Sequence, residues 1–204
     1  PKGHLVAWAQ FKLPIYRKPI ITNPSELSAI NLFKNDKGIE IYGQGFKTIF
    51  SRESGQLSQY SVNGIDLIKS SAEAHFWRAP TDNDLGNGMP KRTALWKYAG
   101  TRMKTKILYG SLKNNTAEII IINLDSLSST TLTSTYHVYG NGAIKVKQKI
   151  EIDDSLHSEM PRFGMKFNMP NDFKKVEWFG RGPHESYWDR KTSAAIGHYS
   201  GLVW

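Results

Sequence analysis

The densest run of reactive side chains is Trp77-Arg78-Ala79-Pro80-Thr81-Asp82-Asn83-Asp84-Leu85-Gly86-Asn87-Gly88. Asp82, Asn83 and Asp84 present carbonyl and carboxylate oxygens, which suit a hard cation or the hydroxyls of a sugar. A calcium loop does not fit: counted from Asp82, the glycine at Gly86 falls one position early, and the twelfth position is Thr93 instead of glutamate. The competing reading is a turn in which Asp and Asn bond their own backbone and Arg78 pairs an aspartate. Gly86-Asn87-Gly88-Met89-Pro90 then suits a hinge and an ordinary surface connection equally.

A second run is Trp178-Phe179-Gly180-Arg181-Gly182-Pro183-His184-Glu185-Ser186-Tyr187-Trp188-Asp189-Arg190-Lys191. His184-Glu185 invites an acid–base pair or a zinc site, but the zinc-protease motif needs a second histidine where Trp188 stands. Adjacent side chains diverge unless the backbone bends sharply, so the two are not expected to share a proton. The structural reading is a corner: Gly180 and Gly182 permit a tight bend, and Arg181 or Arg190 pairs Glu185 or Asp189. Elsewhere, Gly43-Gln44-Gly45-Phe46-Lys47-Thr48 lacks the glycine-lysine adjacency of a phosphate loop, and there is no Gly-x-Ser-x-Gly elbow. The six histidines show no close ligand spacing, and the absence of cysteine removes thiolate chemistry and disulfides.

The elements that must position these runs are mostly strands. Ile144, Val146, Ile150 and Ile152 alternate with Lys145, Lys147, Lys149 and Glu151, which predicts one buried and one wet face. Phe163, Met165, Phe167 and Met169 alternate in the same way. Leu132–Tyr139 leads through Gly140-Asn141-Gly142 into Ala143–Ile152, a hairpin, with similar punctuation at Gly43-Gln44-Gly45, Ser54-Gly55 and Asn63-Gly64. Glu118–Asn123 is continuously apolar enough to predict a strand buried on both faces. Helical signals are confined to about two turns at Thr93–Ala99 and one at Glu185–Arg190. Nothing alternates strand with helix, so the expected architecture is all-β, a large antiparallel β-sandwich.

Residues 1–13 read as one strand, and the prolines at 14, 19 and 24 mark 14–26 as a linker before a domain over 27–204. Neither an initiator methionine nor a signal peptide opens the sequence, and Gly201-Leu202-Val203-Trp204 ends it without a cap; both ends are expected to be internal to a longer polypeptide. No run approaches the ~20 apolar residues of a membrane span. The 27 basic against 18 acidic residues give +9, but the charge is scattered, which speaks against a nucleic-acid partner.

Phe76–Gly86 resembles the signature that opens the last large domain of family 2 β-galactosidases. Trp178–Tyr187 followed by Asp189-Arg190-Lys191-Thr192 is similar to a second signature of that domain, in the same order and at a similar spacing. Val62-Asn63-Gly64 and Trp96-Lys97-Tyr98-Ala99-Gly100 echo it more weakly, and Ala7–Leu13 resembles the closing strand of the immunoglobulin-like domain before it. The resemblance implies a β-supersandwich of the galactose-mutarotase shape, incomplete at its C-terminus, within a retaining enzyme acting on terminal β-D-galactosides. Retention needs two carboxyl groups ~5 Å apart, and the family carries both on an upstream (β/α)₈ barrel. No residue here is therefore assigned to catalysis.

By the same resemblance Mg²⁺ and Na⁺ belong to other domains, with no cofactor in this stretch. The remaining domains are its partners, a galactoside binds only in the intact enzyme, and the parent is expected to be a cytoplasmic or periplasmic bacterial enzyme, open to homo-oligomerisation. Asp82, Asn83, Asp84, Gly86, Asn87 and Gly88 form the expected substrate-entrance loop. Trp77, Arg78, Arg181, His184, Glu185, Tyr187, Asp189 and Arg190 are expected to be structural. The alternatives are an independent carbohydrate-binding β-sandwich module and a free-standing mutarotase-like enzyme using His184 and Glu185. Open strand edges are expected to promote self-association.

Overall fold

The structure, a computed structural model, describes residues 3–15, 23–153 and 158–203. Its strands, in chain order, are β1 (Asn31–Asn35), β2 (Gly38–Gly43), β3 (Phe46–Ser51), β4 (Gln56–Val62), β5 (Ile65–Asp66), β6 (Glu73–His75), β7 (Lys104–Lys113), β8 (Thr116–Asp125), β9 (Thr130–Tyr139), β10 (Ile144–Glu151), β11 (Gly164–Lys166), β12 (Lys175–Gly182) and β13 (Ala195–Leu202). Three one-turn helices, α1 (Asp82–Gly86), α2 (Met89–Arg92) and α3 (Ala99–Arg102), interrupt them. The chain is all-β and divides into two compact units, Thr22–Pro170 and Pro1–Ile21 with Asn171–Trp204. Most of the linker expected over 14–26 lies outside the described residues. Its last part is a 3-10 turn, Pro24–Glu26, capped by the Asn23 side chain on the Ser25 N–H.

In the larger unit β1 to β5 form an antiparallel meander, and β7 to β10 form a second sheet in the order β10-β9-β8-β7. Turn chemistry explains the register. Asn63 and Gly64 between β4 and β5, and Asn114 and Asn115 between β7 and β8, all have positive φ, the conformation a two-residue hairpin of this twist requires. Gly142 has φ 82° in the β9–β10 turn, where the Tyr139 N–H donates to the Ala143 carbonyl at 2.9 Å.

The two sheets bury one core. Ile39, Ile41, Phe46, Phe50 and Leu57 from the first sheet pack with Ala117, Ile119, Ile121, Tyr136 and Val138 from the second. Phe50 meets Tyr136 edge-on, ring centres 5.0 Å apart, and burial pushes the Tyr136 hydroxyl pKa up to about 12. At Gly110 a Cβ would fall 2.8 Å from the Ile39 Cδ1 and 2.9 Å from the Ile119 Cδ1, so any side chain there must move those isoleucine ends.

Three expectations change. In β8 Ala117, Ile119, Ile121, Asn123 and Asp125 are buried on one face, while Glu118, Ile120 and Ile122 on the opposite face are half-buried. Successive side chains point to opposite sides, so a run of isoleucines does not prove that both sides are covered. Val146 is 36% exposed because β10 is an edge strand. The alternation from Phe163 to Met169 yields only the three residues of β11, whose partner β6 is equally short, and leaves Phe163, Phe167 and Met169 exposed.

The helical stretch forms a second, smaller core: Phe76, Trp96, Ala99 and Leu132, with Trp77, Met103, Ile150 and Ile152 against it. The two turns expected at Thr93–Ala99 are a 3-10 helix, Ala94–Tyr98, running into α3. Arg102 of α3 bonds the buried Asp125 at the end of β8, Nη2 to Oδ2 2.7 Å, and also donates to the Leu95 carbonyl at 3.0 Å.

In the smaller unit β12 and β13 form one hairpin, from Gly182↔Ala195 to Lys175↔Leu202. Among the described residues, 4–13 belong to no ladder, and Leu5, Val6, Phe11 and Leu13 are exposed. A strand needs a hydrogen-bonded neighbour. The link seen here is the Gln10 side chain, which accepts from the Ile196 N–H at 2.7 Å and donates to its carbonyl at 2.6 Å.

Candidate functional site

The first signature is a helix start. Thr81 is the N-cap of α1: its hydroxyl accepts from the Asp84 N–H, and the Asp84 carboxylate accepts from the Thr81 N–H at 2.8 Å, a capping box. Arg78 closes the knot with two bonds to Asp84, one of them Nη2 to Oδ1 at 2.9 Å. Asp84 is buried, and the hydrogen bonds from Arg78 and then the Thr81 N–H hold its carboxyl well below the usual carboxylate range. Its oxygens are committed to donors, which leaves a cation little to hold. Asp82 and Asn83 are exposed, as are Gly86 and Asn87, and a side chain at Gly86 would meet open space.

Past α1 the chain is tied down. Gly88 takes φ 73° ahead of α2, the Asn87 side chain accepts from the Met89 N–H at 3.0 Å, and Arg92 donates to the Asn87 carbonyl at 2.7 Å while pairing Glu159. Trp77 lies partly buried against the small core, with the Lys97 ammonium 6.0 Å from its ring centre. Arg78 thus pairs an aspartate as one sequence reading had it. Thr81-Asp82-Asn83-Asp84 also held a missed signal, since threonine followed three residues later by an acid is a helix-start pattern.

The second signature places the expected bend just after its two glycines. Gly180 and Gly182 lie within β12, and neither has positive φ. Gly182 is closely covered by aromatic rings that lie over the strand, whereas Gly180 has room for a Cβ. A Cβ on Gly182 would fall 2.8 Å from Tyr199 Cδ2 and 3.1 Å from Trp178 Cζ2, and one on Gly197 would meet the Tyr199 ring at 3.0 Å. Trp178 and Tyr199 are cross-strand partners with ring centres 5.4 Å apart; the indole N–H donates to the Arg181 carbonyl at 3.0 Å, the Tyr199 hydroxyl to the Ala195 carbonyl at 3.1 Å. The hairpin thereby covers Gly182 and Gly197.

The chain bends at residues 183–184, directly after Gly182, and turns at residues 188–190 and the 3-10 helix Lys191–Ser193. Arg181 reaches it through the carbonyls of Lys191, 2.6 Å, and Ala194, 3.0 Å, and so pairs neither carboxylate named for it. Arg190 does pair Glu185, at 2.6 Å. The His184 Nδ1 lies 2.8 Å from the Glu185 backbone carbonyl, and its Nε2 lies 3.3 Å from the Ser193 hydroxyl. Its partners are thus main chain and a hydroxyl, without the Glu185 carboxylate that acid–base work would enlist. Tyr187, Trp188 and Asp189 are exposed. A cleft beside this hairpin is lined by Trp8, Gln10, Phe11, Phe179, Arg181 and Ile196.

Among the described residues no group of three or more histidine, cysteine, aspartate or glutamate side chains could hold a metal ion, and no helix is long and apolar enough to cross a membrane. The class defined by these features is an all-β, sandwich-type domain whose signature residues build a helix cap, a strand-covering aromatic pair and an arginine-tied turn. Residues 42–204 match the family model described as β-galactosidase small chain. The chain is 32% identical to a β-galactosidase of Priestia megaterium across 98% of its own length and 19% of that relative's. It is 32% identical to one of Clostridium acetobutylicum, over 97% and 22% of the respective chains, and 30% identical to one of Streptococcus thermophilus, over 100% and 19%. The chain belongs to the β-galactosidase small-chain family, and it spans about a fifth of the length of these relatives.

Proposed function

We propose that this chain is a non-catalytic domain of a retaining β-galactosidase, one that supports the catalytic barrel and shapes the rim of the site where terminal β-D-galactosides are cleaved. Residues 1–13 are then the last strand of a preceding immunoglobulin-like domain, 14–26 the linker and 27–204 the domain itself. The observation that carries this reading is the fate of the signature carboxylates. Asp84 is bound by Arg78 and Thr81, and Glu185 by Arg190, while the relatives are enzymes about five times longer. The chemistry, two carboxyl groups ~5 Å apart, is delivered by the rest of the parent, as are any Mg²⁺ and Na⁺ sites. Exposed Asp82, Asn83 and Asn87 form the substrate-entrance surface.

The test pairs two assays with a chromogenic β-galactoside. The purified chain alone is expected to leave it intact, and hydrolysis by the chain alone overturns the reading. In the full-length parent, Gly86→Trp is expected to change kcat/KM without moving the unfolding midpoint, because open space surrounds Gly86; unchanged kinetics sinks the rim role. The second reading, a carbohydrate-binding module, draws on the cleft with Trp8, Phe11, Phe179 and Arg181. Millimolar or tighter galactoside binding by the chain alone would favour it.

A further inference from the structure

The run from Asp82 to Gly88 ends on a left-handed residue, Gly88 at φ 73°, and its sequence suits a hinge as well as a fixed connection. The residues that follow are anchored. Met89 and Thr93 are buried, with the Thr93 hydroxyl donating to the Met89 carbonyl at 2.8 Å. Trp96 is buried as well, and its indole N–H donates to the Ser158 carbonyl at 3.1 Å, which brings residues 158–159 to this part of the chain.

Arg92, the last residue of α2, joins the two sides. Its Nη1 donates to the Asn87 carbonyl at 2.7 Å, and its Nε to the Glu159 carboxylate at 3.0 and 3.3 Å. Its Nη2 donates to Glu159 and, at 3.4 Å, to the Asn87 Oδ1, which also accepts from the Met89 N–H. All three guanidinium nitrogens are engaged, in a fork that a lysine ammonium, a single point of charge, does not reproduce. Ion pairs this exposed contribute little to stability. The bonds therefore act on geometry: they fix where the carbonyl of Asn87, the C-cap of α1, lies.

We infer that Arg92 is the positioning residue of the substrate entrance. It clamps the loop Asp82–Gly88 to residues 158–159 and so fixes Asp82, Asn83 and Asn87 relative to an incoming β-galactoside. This rests on the reading of that loop as the entrance, and adds that the loop is a strut held by one arginine. In that reading the clamp acts on the mouth of the site and touches no reacting atom, so its loss falls on KM and spares kcat. A folding defect does the reverse: it lowers the amount of active enzyme, and with it the apparent kcat, at unchanged KM.

Arg92→Met and Arg92→Lys in the full-length parent test this, with a chromogenic β-galactoside and with amide exchange over residues 82–92. Both variants are expected to raise KM roughly fivefold and to leave kcat within about a factor of two. Both should also speed exchange at Gly88 and Met89, whose N–H groups donate to the Leu85 carbonyl and the Asn87 Oδ1. Recovery of KM by Arg92→Lys overturns the inference, since charge alone would then suffice, as does a fall in kcat at unchanged KM or exchange that stays slow. Faster exchange with unaltered kinetics overturns it too. If Gly86→Trp still changes kcat/KM, the fault then lies with Arg92 alone, and if it does not, with the entrance reading. Should the Arg92 variants fail to fold, Glu159→Gln, which removes the charge facing the guanidinium, decides by the same readouts.

Discussion

Arg78 holds a carboxylate that is at once the N3 residue of a capping box and a nearly buried charge. Two bonds from one guanidinium to one carboxylate are stronger than neutral ones and fix geometry as well as charge. The sign of the pH effect follows from the direction of the shift. The folded pKa of Asp84 lies below its unfolded value, so its stabilisation is present above about pH 4 and lost as the pH falls toward the folded pKa. Asp125 acts in the same sense: burial pushes its carboxyl up, but the bonds from Arg102 and Ser128 outweigh burial and lower it. Arg78→Met should lower the unfolding midpoint at neutral pH and flatten the loss of stability below about pH 4. Thermal melts of both proteins at several pH values check this, and parallel acid limbs would refute it.

The β12–β13 hairpin shows how an element can be stabilised by residues that are absent. A two-stranded hairpin alone is marginal in water. Trp178 and Tyr199 compensate by lying over Gly182 and Gly197, each ring anchored by a bond to a main-chain carbonyl. Gly182→Val should displace both rings, at a cost of ~1–3 kcal/mol for overpacking. The loss belongs to the hairpin, so amide exchange at Trp178 and Tyr199 should accelerate while that of β8 and β9 stays as it was. Equal acceleration in all four strands, or in none, would count against the aromatic cover.

For the larger unit as a whole, the Phe50–Tyr136 contact joins the two sheets at the centre of the core. Both rings are buried, Phe50 completely. Phe50→Ala removes cross-sheet contact where the strands on either side are held in ladders and cannot close the gap. The expected loss is ~3–5 kcal/mol in a denaturant titration, against less than ~0.5 kcal/mol for a surface change such as Lys147→Ser. A Phe50→Ala loss no larger than that of Lys147→Ser would mean that the sheets do not share this core.

Side-chain order alone determined the all-β class, the hairpins at Asn63-Gly64 and Gly140-Asn141-Gly142, the lysine face of β10 and the family signatures, because turn chemistry and period-two alternation are local properties. It also carried the Arg78–aspartate pair, since a short polar run leaves few partners within reach. Tertiary structure decided what had no local cause. Whether Ile120 and Ile122 were covered depended on what lay across the sheet, and the ring over Gly182 depended on Tyr199, far along the chain. The backbone N–H and carbonyl of Ile196 found their partner in Gln10, a distant side chain that takes the place of a strand there. Local patterns say which face a residue shows, and only packing says what meets it.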